Sequence, residues 1–208
     1  MPFIDREDAA RQLAKALRRY AGKHPLVLAV PRGAVPMGAI VAEALDAEFD
    51  VVLVRKLGAP GNPELAIGAV DESGWTYLTP HAAMYGADSV YVDRERACQL
   101  ETLRRRRAMY TPGRDAASVA GRVVIIIDDG LATGASMIAA LHAVREQQPS
   151  RLVCAVPVAP RQTLERLRPY ADEVVCLESP PAFRAVGECY GEFPQVEDEQ
   201  VIACLIAR

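Results

Sequence analysis

Apolar residues along the chain fall into short unbroken runs that alternate with spaced stripes. Ala10, Leu13, Ala14 and Leu17 recur at helical spacing, with Asp5 and Asp8 as a cap before them and Gly22 as the stop, so a first helix is expected there. Leu26 to Val30, Asp50 to Arg55, Val123 to Ile127, Arg151 to Val158 and Glu173 to Leu177 are strand-length runs rich in β-branched residues. Such runs suit strands buried on both faces. Between them lie helical patterns at Ala39 to Leu45, Asp88 to Tyr110, Met137 to Arg145 and Arg161 to Tyr170. Strands alternating with helices predict an α/β fold with a mainly parallel central sheet flanked by helices. Leu65 to Val70 and Trp75 to Thr79, separated by Asp71-Glu72-Ser73-Gly74, predict a hairpin. Leu57 to Glu64 is dense in turn residues and reads as a loop that moves. After Ser179 the pattern turns irregular through Phe183, Tyr190, Phe193 and Pro194, and Glu197 to Ala207 closes it as a helix.

Composition narrows the class. With 208 residues, 50% of them hydrophobic, the chain can bury a large core as one domain. Its formal charge of −3 gives no overall pull towards nucleic acid, so any polyanion must be held locally. Cys98, Cys154, Cys176, Cys189 and Cys204 show no C-x-x-C spacing and mostly sit in apolar runs, as reduced thiols of a cytoplasmic protein would. No signal-like h-region or spanning apolar stretch is present, which predicts neither export nor membrane insertion. His24, His81 and His142 are scattered and set up no permanent transition-metal site.

The most informative stretch is Val123 to Ser136, V-V-I-I-I-D-D-G-L-A-T-G-A-S. A buried strand stops at two adjacent carboxylates, Asp128 and Asp129, which cannot be core. Small residues around Gly130 and Gly134 then lead into a helix. They let backbone N–H groups approach a phosphate, Thr133 and Ser136 add hydroxyl donors, and the helix start contributes partial positive charge. Paired carboxylates just before such a cradle can accept hydrogen bonds from a diol.

At these residues the chain resembles the type I phosphoribosyltransferases, whose signature is a hydrophobic strand, two acids and a Thr-Gly loop ending in a hydroxyl residue. The resemblance implies the fold of that family with a small hood from the C-terminal tail, 179–208, and a mobile loop and hairpin at 57–79. It implies that Asp128 and Asp129 bind the 2′ and 3′ hydroxyls of phosphoribosyl pyrophosphate (PRPP), and that Ala132, Thr133, Gly134, Ala135 and Ser136 bind its 5′-phosphate. Pro31-Arg32-Gly33 follows the first sheet strand, where the family holds pyrophosphate, so Arg32 and Gly33 resemble that site; an ordinary turn with a surface arginine is the blander alternative. Arg55 and Lys56 end the next strand and either neutralise pyrophosphate or form a solvated strand end.

The expected activity is Mg²⁺-dependent transfer of the phosphoribosyl group to a small-molecule nitrogenous acceptor, with Mg²⁺ arriving on PRPP and a homodimer as the assembly. Neither nucleic acid nor membrane is an expected partner. A PRPP-sensing regulator that kept the fold and lost turnover is the alternative, because the signature separates fold from catalysis poorly. Some purine-specific relatives carry an acid where this chain has Ala132, which leaves adenine, a pyrimidine or a non-nucleobase acceptor open. Phe183, Tyr190 and Phe193 either stack on the acceptor or pack the tail on the core. Of the run Arg104 to Arg107, some must be solvated, since four successive residues point around more than one helix face; the others could draw in a polyphosphate.

Overall fold

A computed structural model describes residues 3–114 and 116–206. Helix α1, Arg6–Ala16, begins where expected: Asp5 accepts the Asp8 N–H at 2.8 Å, and Ala9, Ala10 and Leu13 are fully buried. Strands β1 (Leu26–Ala29), β2 (Glu48–Val51), β6 (Val123–Ile127), β7 (Arg151–Val158) and β8 (Glu173–Glu178) form one parallel sheet in the order β2-β1-β6-β7-β8. The two-residue period of the strands divides the core. Val27, Ile125, Ile127 and Val153 face the side of α1 and of α2 (Ala34–Leu45), whereas Leu28, Val124, Ile126 and Leu152 face that of α4 (Ala135–Arg145). The α/β class and the parallel central sheet read from the sequence are those of the structure.

A second, antiparallel sheet of β3 (Val54–Ala59), β4 (Asn62–Asp71) and β5 (Thr76–Leu78) packs against α4 and α3 (Ser89–Tyr110). The expected single strand from Asp50 to Arg55 is therefore two. Chain direction changes at Val52-Leu53 because β2 is an edge strand whose end is closed off: Asp50, 1% exposed, accepts hydrogen bonds from Val51 N–H, Ala117 N–H and Arg114 Nη2. Leu57 to Glu64 is likewise not an irregular loop. It is most of a β-hairpin whose tip is Pro60-Gly61, with Gly61 at φ 74°. Gly58 makes the pairing possible, since a Cβ there would lie 2.7 Å from the Pro63 main chain. The predicted hairpin turn at Asp71 to Gly74 joins β4 to β5, and the chain's one tryptophan, Trp75, stacks 3.6 Å from the His142 ring of α4, the planes within 5°.

Helix α2 starts at Ala34, five residues before the expected Ala39, because Pro36 falls in its first turn, where no N–H is needed. Helix α5 spans Arg161–Leu167, and α6 spans Asp198–Ile206; Ala207, the expected end of the last helix, lies outside the described residues. The tail between β8 and α6 is tied to the start of the chain: Phe3 N–H donates to Cys189, while Gly191 and Glu192 N–H groups donate to Phe3 and Ile4. No helix among the described residues is long and apolar enough to cross a membrane.

Candidate functional site

The carboxyl ends of β1 and β6 bring Gly33, Asp128 and Asp129 together at the edge of the sheet where open α/β folds place ligands. Beyond the diacid the chain must turn tightly. Gly130, at φ 154°, lies where a Cβ would sit 2.5 Å from Val186, and Leu131 N–H donates to Val158 across the top of β7. Thr163 of α5 steadies the next turn by donating its hydroxyl to Ala132 O at 2.6 Å, and Gly134 takes φ 76° before α4 begins. The first-turn amides of α4 have no intrahelical acceptor, Ala135 N–H donating instead to Thr133 Oγ1 at 3.5 Å, and Thr133 to Ser136 bring this helix N-terminus to the wall of one cavity. That cavity, about 230 Å³, has Asp128 and the 130–136 loop on one side and Lys56, Glu64, Leu65 and Ala66 of the hairpin on the other.

A second cleft of about 620 Å³ adjoins it and shares Lys56, Glu64 and Ser136. Arg32, Arg55, Lys56 and Arg106 give it four cations against two carboxylates, Glu64 and Glu95. Arg55 is half-buried and donates from Nε to Gln99 Oε1 at 2.9 Å; burial, with the charge of Arg106 beside it, pulls its pKa below the ordinary arginine value. Arg32, which follows a cis Pro31–Arg32 peptide bond, already lies near Glu197 and Asp198 of the tail, at 3.3 and 3.8 Å. A polyanion here would meet cations from α3, the hairpin and the turn after β1.

The structure thus gathers Asp128, the 130–136 loop, Arg32, Arg55 and Lys56 around two adjoining cavities. It does not line either with Gly33 or Asp129. Gly33 sits behind the diacid, where a Cβ would fall 2.0 Å from Asp129 Oδ2. Asp129 Oδ2 accepts the Arg6 Nε–H at 2.9 Å, with Nη2 at 2.8 Å. Burial raises the pKa of both carboxyls; the charge of Asp129 adds to the rise at Asp128, and Arg6 opposes it at Asp129. Tyr190, 2% exposed, donates to Asp129 O at 2.5 Å, and the Phe193 ring lies 3.7 Å beneath the Arg6 guanidinium. Those two aromatics pack against the chain's own groups, while Phe183 lines a separate pocket of about 290 Å³.

Sequence reasoning missed Arg6 and left Arg106 undistinguished. Arg6 gives no local signal: it sits in the first turn of α1, 123 positions from its partner. Arg106 lies in the arginine run, where helical geometry sends only one residue to the cleft. Arg107 instead pairs with Glu72 at 2.6 Å, and Arg104 and Arg105 are exposed.

Residues 4–191 match the family model described as "Phosphoribosyl transferase domain". Two Mycobacterium tuberculosis proteins, from strains CDC 1551 / Oshkosh and H37Rv, are each 44% identical over 204 residues, and their names assign them provisionally as phosphoribosyl transferases. The match covers 98% of this chain but 46% of those proteins, so the chain spans about half the length of these curated relatives. The crystal structure of the protein TT1426 from Thermus thermophilus is 49% identical, covers 100% of this chain and 99% of its own, and superposes with a TM-score of 0.83.

Proposed function

The chain belongs to the phosphoribosyl transferase domain family, and from that premise we propose that it transfers the 5-phosphoribosyl group of PRPP to a nitrogenous acceptor, a nucleobase in the first instance. The observation that carries this reading is the adjoining pair of cavities, one an amide-rich helix start beside Asp128, the other holding Arg32, Arg55, Lys56 and Arg106. A molecule with a monophosphate at one end and a diphosphate at the other matches that division of charge.

In the proposed reaction the bond from C1 of the sugar to the pyrophosphate oxygen breaks and pyrophosphate leaves with the electron pair. A bond from the acceptor nitrogen to C1 forms, and the acceptor's N–H proton passes to the solvent. The amides of Thr133 to Ser136 hold the 5′-phosphate and fix the sugar, Asp128 accepts from a ribose hydroxyl, and the four cations stabilise charge gathering on the leaving group. Glu64 and Lys56, on the hairpin side of both cavities, are placed to shut water out while C1 is electrophilic.

Among the described residues no group of three or more His, Cys, Asp or Glu side chains could hold a metal, and Asp129 is already bound by Arg6. In this proposal Mg²⁺ enters as part of the substrate, carried by pyrophosphate, ribose hydroxyls and water, where it neutralises phosphate charge. The five free thiols accord with a reducing, cytoplasmic setting.

Calorimetric titration with PRPP, followed by a pyrophosphate-release assay over a panel of bases, tests the reading. PRPP should bind with Mg²⁺ present, and a chelator should leave the ligand-free protein's melting temperature unchanged. Replacing both Asp128 and Asp129 by Asn removes charged acceptors worth about 3 kcal/mol together, so affinity should fall on the order of 100-fold. Undiminished affinity in that double variant would remove the diacid from the site. Binding with no pyrophosphate release on any base would make the chain a PRPP sensor.

A further inference from the structure

Residues from three segments distant in sequence, Arg6, Gly33 and the pair Tyr190 and Phe193, converge on Asp129, and the reaction proposed above assigns none of these residues a task. From α1, Arg6 reaches Asp129 Oδ2 with Nε at 2.9 Å and Nη2 at 2.8 Å, the two side chains being only 13% and 16% exposed. From the tail, the Phe193 ring supports the guanidinium at 3.7 Å and Pro194 O accepts from its Nη1 at 2.6 Å. Tyr190 fixes the main chain of the same aspartate through its carbonyl. From the turn after β1, Gly33 makes the space the carboxylate occupies, since a Cβ there would fall 2.0 Å from Asp129 Oδ2. Arg6 is therefore held in one pose, and its pose selects which oxygen of Asp129 is taken.

The chemistry explains why such a clamp is needed. Hydroxyl groups of a sugar donate to carboxylates, whereas a protonated carboxyl becomes a donor itself. Asp128 and Asp129 are neighbours, Asp129 N–H donates to Asp128 Oδ1 at 2.9 Å, and burial and mutual repulsion both favour a shared proton. The charged or titratable groups facing the pair are few. Lys56 of β3 is exposed and so screened by solvent; Tyr190 and Cys154, both raised by burial, are neutral. Arg6 is the cation in direct contact.

We propose that Arg6 is a positioning residue of the sugar site: it holds Asp129 in a fixed rotation behind Asp128 and sets its positive charge against the pair, so that Asp128 meets the ribose diol as an acceptor. This rests on the phosphoribosyl-transfer reading. It also makes the two acids unequal, Asp128 meeting the ligand in the cavity and Asp129 serving from behind it with one oxygen already engaged.

The test is PRPP affinity as a function of pH, by calorimetry, in the wild-type chain, Arg6→Met and Arg6→Lys. Removing the cation raises the carboxyl pKa values, so protonation blocks the diol site at higher pH. The acid midpoint of binding should rise by roughly 1 to 3 pH units in Arg6→Met. Arg6→Lys, which keeps the charge, should restore most of that shift. Titration of PRPP's own phosphates is common to all three proteins and cancels in the comparison. A merely structural Arg6 would weaken binding equally at every pH, and that result, or an equal shift in Arg6→Lys, overturns the proposal. If Arg6→Met does not fold, Arg6→Gln keeps a donor and loses only the charge, and must show the same upward shift. Wild-type protein that binds no PRPP at any pH overturns the reaction and this inference together, whereas binding with an unmoved midpoint in the variant overturns this inference alone.

Discussion

Arg106 shows how much one side chain's direction matters. It is the third of four successive arginines, and it alone of them lines the cationic cleft, beside Arg55 and Gln99. If that cleft holds the pyrophosphate end of PRPP, Arg106→Met removes one charge-assisted contact there and none at the monophosphate end. PRPP affinity should fall roughly tenfold, the loss of about 1.5 kcal/mol, while affinity for ribose 5-phosphate stays as it was. Equal losses for both ligands, read by parallel titrations, would place Arg106 outside a pyrophosphate site. The neighbours set the scale for comparison: Arg104 is 77% exposed beside Glu101, a pair of the kind that contributes little. The same logic governs Gly33. Its backbone is close to the diacid because nothing but hydrogen fits there, and that proximity cannot be read from a Pro-Arg-Gly turn in isolation.

At the level of elements, the hairpin of β3 and β4 is where reading from the sequence and the structure part. Pro60 and Gly61 are turn residues, and two prolines and two glycines from Gly58 to Glu64 suggest an unstructured loop. Cross-strand pairing overrides that local preference: Leu57 meets Gly68, Gly58 meets Ala66, and irregular register absorbs the mismatch. Its base is anchored to α3, where the Tyr91 hydroxyl donates to Gly58 O at 2.9 Å. Its far end, Gly61 to Glu64, is exposed above the two cavities. Movement, if ligands cause it, should be confined beyond Gly58. Hydrogen exchange at the Gly61, Asn62, Glu64 and Leu65 amides should slow when PRPP, Mg²⁺ and an acceptor analogue are bound together. Unchanged exchange there would make the hairpin a fixed wall.

Other elements were legible because their cause is local. The strand from Val123 to Ile127, the acids after it and the small residues before α4 are fixed by burial, charge and turn chemistry within fourteen consecutive residues, and the structure places them as expected. The cap at Asp5 is equally local. What stayed hidden depends on contacts across the chain: Asp50 closing the edge of β2 with Arg114 and Ala117, and Arg6 reaching Asp129. Nothing in the spacing of Asp50 to Arg55 says that the run divides between two sheets. Tyr190 and Phe193 were open between acceptor stacking and packing, and their neighbours answer for packing on Arg6 and Asp129.

For the whole molecule, the two sheets contribute different halves of the site. Asp128 and the 130–136 loop follow β6 of the parallel sheet; Arg55, Lys56 and Glu64 come from the antiparallel one. The formal charge of −3 hides this, because one cleft gathers four cations against two carboxylates, a local excess that can raise the concentration of a polyanion there despite the overall sign. The smaller sheet is not a loose attachment. Leu57, Ile67 and Val70 are buried in the core shared with α1 and α2, while Val54 and Ala69 are buried in the one shared with α4.

The stacking of Trp75 on His142 carries a spectroscopic consequence. Because no other tryptophan is present, intrinsic indole emission reports a single place, the seam where the antiparallel sheet meets α4. Side chains of the smaller sheet run into both cores, so indole emission and far-ultraviolet circular dichroism should follow one urea transition with a common midpoint. An emission change that precedes the loss of helical signal would mean the seam opens while the parallel sheet stands. In that event His142→Phe, which keeps a ring against the indole, should bring the two curves back together.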